Sequence, residues 1–152
     1  MKLSEAVSSR RSVRAFLDTP VPNTIIKTLL EKASQSPSGG NLQPWKIYVI
    51  NEDSMKSFLD FQSKWTEVEV PGYEIYPPSL KEPYRSYRYE LGEQMYSLLG
   101  IPRDDKASRI AQVLKNYNFF GAPVGIFCFI DDCMGPPQWS DLGMFLQTFM
   151  LL

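Results

Sequence analysis

The chain has no histidine and only two cysteines in 152 residues. Without an imidazole there is no Ser-His-Asp triad, no Cys-His pair and no histidine metal site. Two cysteines alone also fall short of a structural zinc set. If the chain is an enzyme, a bound cofactor carries its chemistry. The net charge of -1 argues against a general nucleic-acid binder, which carries a basic excess. No run reaches the roughly 18 apolar residues of a membrane helix. Lys2, Glu5, Arg10 and Arg11 interrupt any signal-peptide core. Cys128 falls inside the apolar run Ile126–Ile130 and reads as a buried reduced thiol, which points to a cytoplasmic protein. What remains is ordinary globular composition, 43% hydrophobic and 22% charged, in a chain of single-domain length.

Periodicity orders the elements. Leu3–Val7 reads as a short amphipathic helix. Pro20 and Pro22 break the chain, with Asn23 or Thr24 as cap candidates, and Ile25, Ile26, Leu29, Leu30 and Ala33 then recur at helical spacing. Pro37 predicts an end to that helix near Gln35–Ser36. Lys46–Ile50 is a strand by its β-branched and aromatic content. A helix is expected over 52–65, capped by Asn51 or Asp53. Residues 67–83 hold four prolines, with Tyr73 and Tyr76 between them, and form an excursion that extends to about 100. A helix closed by Gly100, another capped by Asp104 or Asp105, and a strand over Pro123–Ile130 follow. Trp139, Leu142, Phe145, Leu146 and Phe149 mark a last helical face, which has no stop signal before Leu152.

Two segments stand apart from this scaffold. Arg10-Arg11-Ser12-Val13-Arg14 packs three guanidiniums and a hydroxyl into five residues. The guanidinium fork suits phosphate, giving paired charge-assisted hydrogen bonds that Ser12 can supplement. Arg14 lies two residues beyond Ser12 and can serve the N1/O2 edge of a flavin, where a cation stabilises the negative charge of the reduced ring. A solvated basic turn is the plain alternative. Pro37-Ser38-Gly39-Gly40-Asn41-Leu42-Gln43-Pro44-Trp45 is the second segment. Its glycines admit close backbone approach to a ligand. Asn41 and Gln43 can read a uracil-like edge, and Trp45 anchors the following strand. Taken alone, it is also compatible with a long connection between helix and strand.

In this order and spacing, Arg10–Phe16 and Pro37–Trp45 resemble the flavin-binding segments of the nitroreductase family. Phe120-Gly121-Ala122-Pro123-Val124 and Gln138-Trp139-Ser140-Asp141-Leu142-Gly143-Met144 are also similar to members of that family. The resemblance implies an α+β fold with a central, mainly antiparallel sheet flanked by helices, built as an intertwined homodimer. It implies FMN held noncovalently at the dimer interface. Arg10, Arg11, Ser12 and Arg14 would come from one subunit, and Pro37, Ser38, Gly39 and Asn41 from the other. It implies electron transfer from NAD(P)H to nitroaromatic or quinone-like acceptors by a ping-pong mechanism, with flavin N5 as the reactive centre, no catalytic side chain and no metal. The Tyr73–Tyr89 excursion is then either a lid over the flavin or a loop packed on the dimer partner.

The family's chain normally continues with further sheet and helix and a late basic residue. Residues 1–152 are therefore expected to form a single domain incomplete at its C-terminus. The competing reading is a flavin-binding or dimerisation module without turnover. A third treats Arg10-Arg11-Ser12 as a phosphorylation site, which leaves Pro37–Trp45 unexplained.

Overall fold

Helix α2 (Asn23–Ala33) and helix α6 (Pro136–Leu151) pack together, and their contact organises the first of two compact units. A computed structural model of the chain describes residues 2–67 and 74–152. Pro71 and Tyr73, part of the expected excursion, lie outside the described residues. One unit comprises Met1–Asp60 with Phe120–Leu152, the other Phe61–Phe119.

In the first unit, Ala33 is fully buried and Phe145 nearly so, with Ile26 and Leu142 beside them in the core. α2 stops at Ala33, slightly short of Gln35–Ser36. Its last turn tightens, with the amides of Gln35 and Ser36 donating to the carbonyls of Lys32 and Ala33. Asn23 does not cap it. Pro22 occupies that position, and the Asn23 side chain accepts from the Asn51 amide at 2.7 Å. β1 (Lys46–Asn51) pairs antiparallel with β2 (Val124–Phe129), from Lys46 opposite Phe129 to Asn51 opposite Val124. This small antiparallel sheet carries α3 (Glu52–Lys64), whose Phe58 meets Phe127 edge-on at 5.2 Å. Asn51 stands immediately before α3. Ser54 folds back onto it, its hydroxyl accepting from the Asn51 backbone N–H and donating to the Asn51 carbonyl. Helix α1 (Leu3–Ser9) contributes buried Ala6.

Past the end of β2, Lys46 Nζ reaches Asp131 at 3.1 Å. The Cys133 thiol and then Lys46 hold the Asp131 carboxyl well below its usual range. Reciprocally, Asp131 pushes the exposed Cys133 thiol up, while burial raises Cys128. Both cysteines are free, and both are held toward the unreactive thiol form.

The second unit is built on α4 (Tyr84–Leu98) and α5 (Lys106–Leu114). Asp105 caps α5 by accepting the Ser108 amide at 3.0 Å. Arg109 joins the helices, donating to Glu93 at 2.8 Å while its guanidinium lies 4.2 Å over Tyr96. Gly100, at φ +67°, turns the chain after α4. No helix among the described residues is long and apolar enough to cross a membrane.

Candidate functional site

The Pro37–Trp45 loop is set at both ends by α6. Before it, buried Ser36 donates to Thr148 Oγ1 at 2.8 Å. After it, Pro44 is buried and Trp45 stacks on Phe145 at 5.1 Å with 24° between the rings. Between these anchors, Gly39–Asn41 forms one turn of 3-10 helix. The Asn41 amide donates to the Ser38 carbonyl at 2.9 Å, and the Gln43 amide donates to the Ser38 hydroxyl at 2.9 Å. Gly40, Asn41 and Gln43 all sit at positive φ, 59°, 56° and 47°. For the two residues with side chains, such a backbone costs about 1–3 kcal/mol each and persists only where the surroundings over-determine it.

Asp141 supplies much of that determination. It is only 5% exposed, and both carboxylate oxygens accept the Gly39 amide, at 3.3 and 3.2 Å. In the sequence Asp141 stands inside the Gln138–Met144 motif, which does not by itself announce this role. The available signal was a lone acid beside Leu142 on an otherwise apolar helix face. Within the chain, nothing obliges residue 39 to be glycine. Its φ is ordinary, and a Cβ there would meet Asp141 Oδ2 at an unstrained 3.9 Å. Gly40 has open space around a Cβ but a left-handed backbone. Gly40→Ala is therefore expected to cost roughly 1–2 kcal/mol of stability and Gly39→Ala close to nothing, as urea denaturation of the two variants would report.

The arginine segment leaves the C-terminal end of α1, where the negative end of the helix dipole favours cations. Arg10 donates its backbone amide to the Ala6 carbonyl. Arg11 Nη1 donates to the carbonyls of Ser8 and Arg10 at 2.8 and 2.9 Å, and Arg14 Nη1 donates to the Ser12 carbonyl at 3.2 Å. The Arg14 guanidinium lies 5.9 Å over the Phe120 ring. Phe119, Phe120 and Gly121 form a second run of positive φ, another feature the sequence did not announce. Arg10, Arg11, Ser12 and Arg14 are all exposed. Among the described residues none of the three arginines has a carboxylate partner. Nor does any hydrogen bond, ion pair or ring contact among the described residues join this segment to Pro37–Asn41 within one chain.

Pro37 is exposed, and half-buried Ser38 uses its hydroxyl inside the loop. Gln43 Nε2 donates to Asn41 Oδ1 at 3.1 Å, so the pair still presents the Asn41 amino group and the Gln43 carbonyl outward. One donor beside one acceptor complements a pyrimidine-dione edge. Gly40, with open space beyond it, admits close backbone approach, and three guanidiniums without a carboxylate partner among the described residues, together with a hydroxyl, suit a phosphate. This donor set fits FMN. No group of three or more acidic, cysteine or histidine side chains among the described residues is placed to hold a metal.

A curated 4-nitrobenzoate reductase from Pseudomonas putida is 36% identical over 148 residues, covering 95% of this chain and 64% of the relative. The chain thus spans a little under two thirds of that relative's length. The crystal structure of an FMN- and NADPH-dependent nitroreductase, NfnB, from Sphigopyxis sp. strain HMH superimposes with a TM-score of 0.93 at 46% identity, over 99% of this chain and 70% of that one. The NfnB structure from Mycobacterium smegmatis in complex with NADPH gives a TM-score of 0.84 at 26% identity, over 97% and 68% of the two chains. The sequence pattern of the Nitroreductase family matches residues 7–152, and the chain belongs to the nitroreductase family.

Proposed function

We propose that this chain is the flavin-binding part of an oxidoreductase that passes electrons from NAD(P)H to nitroaromatic or quinone-like acceptors. The observation that carries the reading is the Pro37–Trp45 loop, which has three left-handed residues and whose Gly39 amide bonds to a buried carboxylate 102 residues away. FMN bound there would supply two-electron redox chemistry to a chain that has no histidine and needs no nucleophilic side chain. Arg10, Arg11 and Ser12 hold the phosphate, and Arg14 provides the positive charge that favours the reduced cofactor. Pro37, Ser38, Gly39 and Asn41 shape the cradle for the ring. The two segments come from different subunits of a homodimer. Their lack of any direct contact within one chain, among the described residues, supports that assignment. The relatives named for 4-nitrobenzoate reduction and for NADPH dependence support the acceptor class and the reductant. Residues 1–152 form one functional domain in this reading, and the two free cysteines suit a cytoplasmic setting.

The test is the visible spectrum of purified protein reconstituted with FMN and dialysed, before and after NADPH or NADH is added. Retained flavin absorption that either nucleotide bleaches, and that a nitroarene restores, is the expected result. Retained flavin that neither nucleotide bleaches would reduce the chain to a flavin-binding module without turnover. A colourless protein after dialysis would overturn the reading.

A further inference from the structure

The second unit carries a groove of 630 Å³, within the size range of small-molecule sites. Pro77, Pro78 and Tyr89 give it flat apolar walls, and Arg85, Arg88 and Glu93 give it charge. Most of that charge is committed. Glu93 is engaged by Arg109 at 2.8 and 3.4 Å, and that bond holds its carboxyl below the usual range. Arg85 donates to Glu82 at 2.7 Å, and Glu82 also accepts from the Ser86 hydroxyl. The Tyr89 hydroxyl accepts from Arg103 at 2.6 Å.

Arg88 is the exception. Its guanidinium lies 4.0 Å from the Tyr76 ring centroid, and among the described residues no carboxylate or carbonyl accepts from it. Stacking on Tyr76 occupies one flat face of the guanidinium and leaves its N–H edge open. An edge of that kind grips a carboxylate with two parallel hydrogen bonds.

We infer that this groove binds a small planar aryl carboxylate, with its carboxylate on the edge of Arg88 and its ring against Pro77, Pro78 and Tyr89. A neutral arene would leave the guanidinium without its acceptor. A phosphate dianion would find, among the arginines lining the groove, one without an acid partner among the described residues, and no use for the apolar walls. The inference stands on the second unit alone and does not depend on the flavin reading.

Fluorine NMR titration of the full chain, without FMN, tests it with 4-fluorobenzoate and the neutral isostere 4-fluorobenzamide as probes. Saturable binding of the benzoate, at least about tenfold tighter than the benzamide, is expected, because a charge-assisted pair is lost with the neutral probe. Arg88→Gln should weaken the benzoate by about tenfold or more and leave the benzamide unchanged. Arg88→Lys, which keeps the charge without the fork, should fall between and guards against misfolding of the first variant. Circular dichroism melts should match the parent, since Arg88 is exposed on α4. Equal affinity for the two probes, no effect of either substitution, or displacement of the benzoate by an equal concentration of inorganic phosphate would each overturn the proposal.

Discussion

Phe145→Ala is expected to cost about 3–5 kcal/mol of folding stability, the range for deleting a fully buried aromatic ring. Phe145 is 2% exposed, and it is where three features of the first unit meet. It lies on α6, against which α2 packs, and its ring stacks on Trp45 at the entry to β1. Truncation removes the apolar contact, the stacking and the wall that fixes the exit of the candidate loop. Against a total stability of about 5–15 kcal/mol for a typical domain, the loss is a large fraction of the whole. Met150 on the same helix is 55% exposed, so Met150→Ala should change stability by only about 0.5 kcal/mol. Urea denaturation of both variants measures the contrast. A cost below about 1 kcal/mol for Phe145→Ala would mean that α6 is not the core element described here.

Asp141→Ala should loosen the loop more than it unfolds the chain. The carboxylate accepts one backbone amide through both oxygens, and a hydrogen bond to a charged group contributes about 1.5–3 kcal/mol. The amide that loses its partner belongs to exposed Gly39, so water takes over part of the bond, and the global loss should lie toward the lower end. Locally the effect is larger. Asn41 and Gln43 keep their left-handed backbone only while the turn is held from below, and without Asp141 they should relax to ordinary angles. Amide hydrogen exchange should therefore accelerate at Gly39, Asn41 and Gln43, while β1 and α6 stay protected. FMN affinity should fall by about tenfold, the equivalent of about 1.5 kcal/mol. Asp141→Asn keeps an acceptor and should be intermediate in both readouts. Unchanged exchange in the loop of Asp141→Ala would show that the carboxylate does not shape it.

The elements that could be read from the sequence were those fixed by local pattern. The spacing of Ile25, Ile26, Leu29, Leu30 and Ala33 determines α2 whatever it packs against, and β-branched and aromatic residues mark both strands to within a residue. Asp105 capped as its position suggested. Caps with competing partners did not follow the pattern. The Asn51 side chain donates to Asn23 across 28 residues, and Ser54 accepts from the Asn51 backbone N–H at the start of α3. The candidate loop was visible as a composition, but its shape was not. Positive φ at Asn41 and Gln43 comes from hydrogen bonds to Ser38 and from Asp141, and no local signal specifies a contact made at that distance in sequence. That Arg88 has no acid partner among the described residues was likewise invisible among alternating arginines and tyrosines, because only the fold decides which of them find acids.

The bonds that set the loop have a kinetic consequence. Gly39 reaches forward 102 residues to Asp141, and Ser36 reaches 112 to Thr148. Such closures must meet their entropy before any contact rewards them, and folds rich in distant pairings form slowly. During synthesis, α2 can coil as soon as it clears the ribosome, yet the loop that follows it has nothing to close against until α6 has been made. The left-handed turn is therefore among the last features to form, and refolding followed by a probe at Trp45 should lag behind the recovery of helical signal.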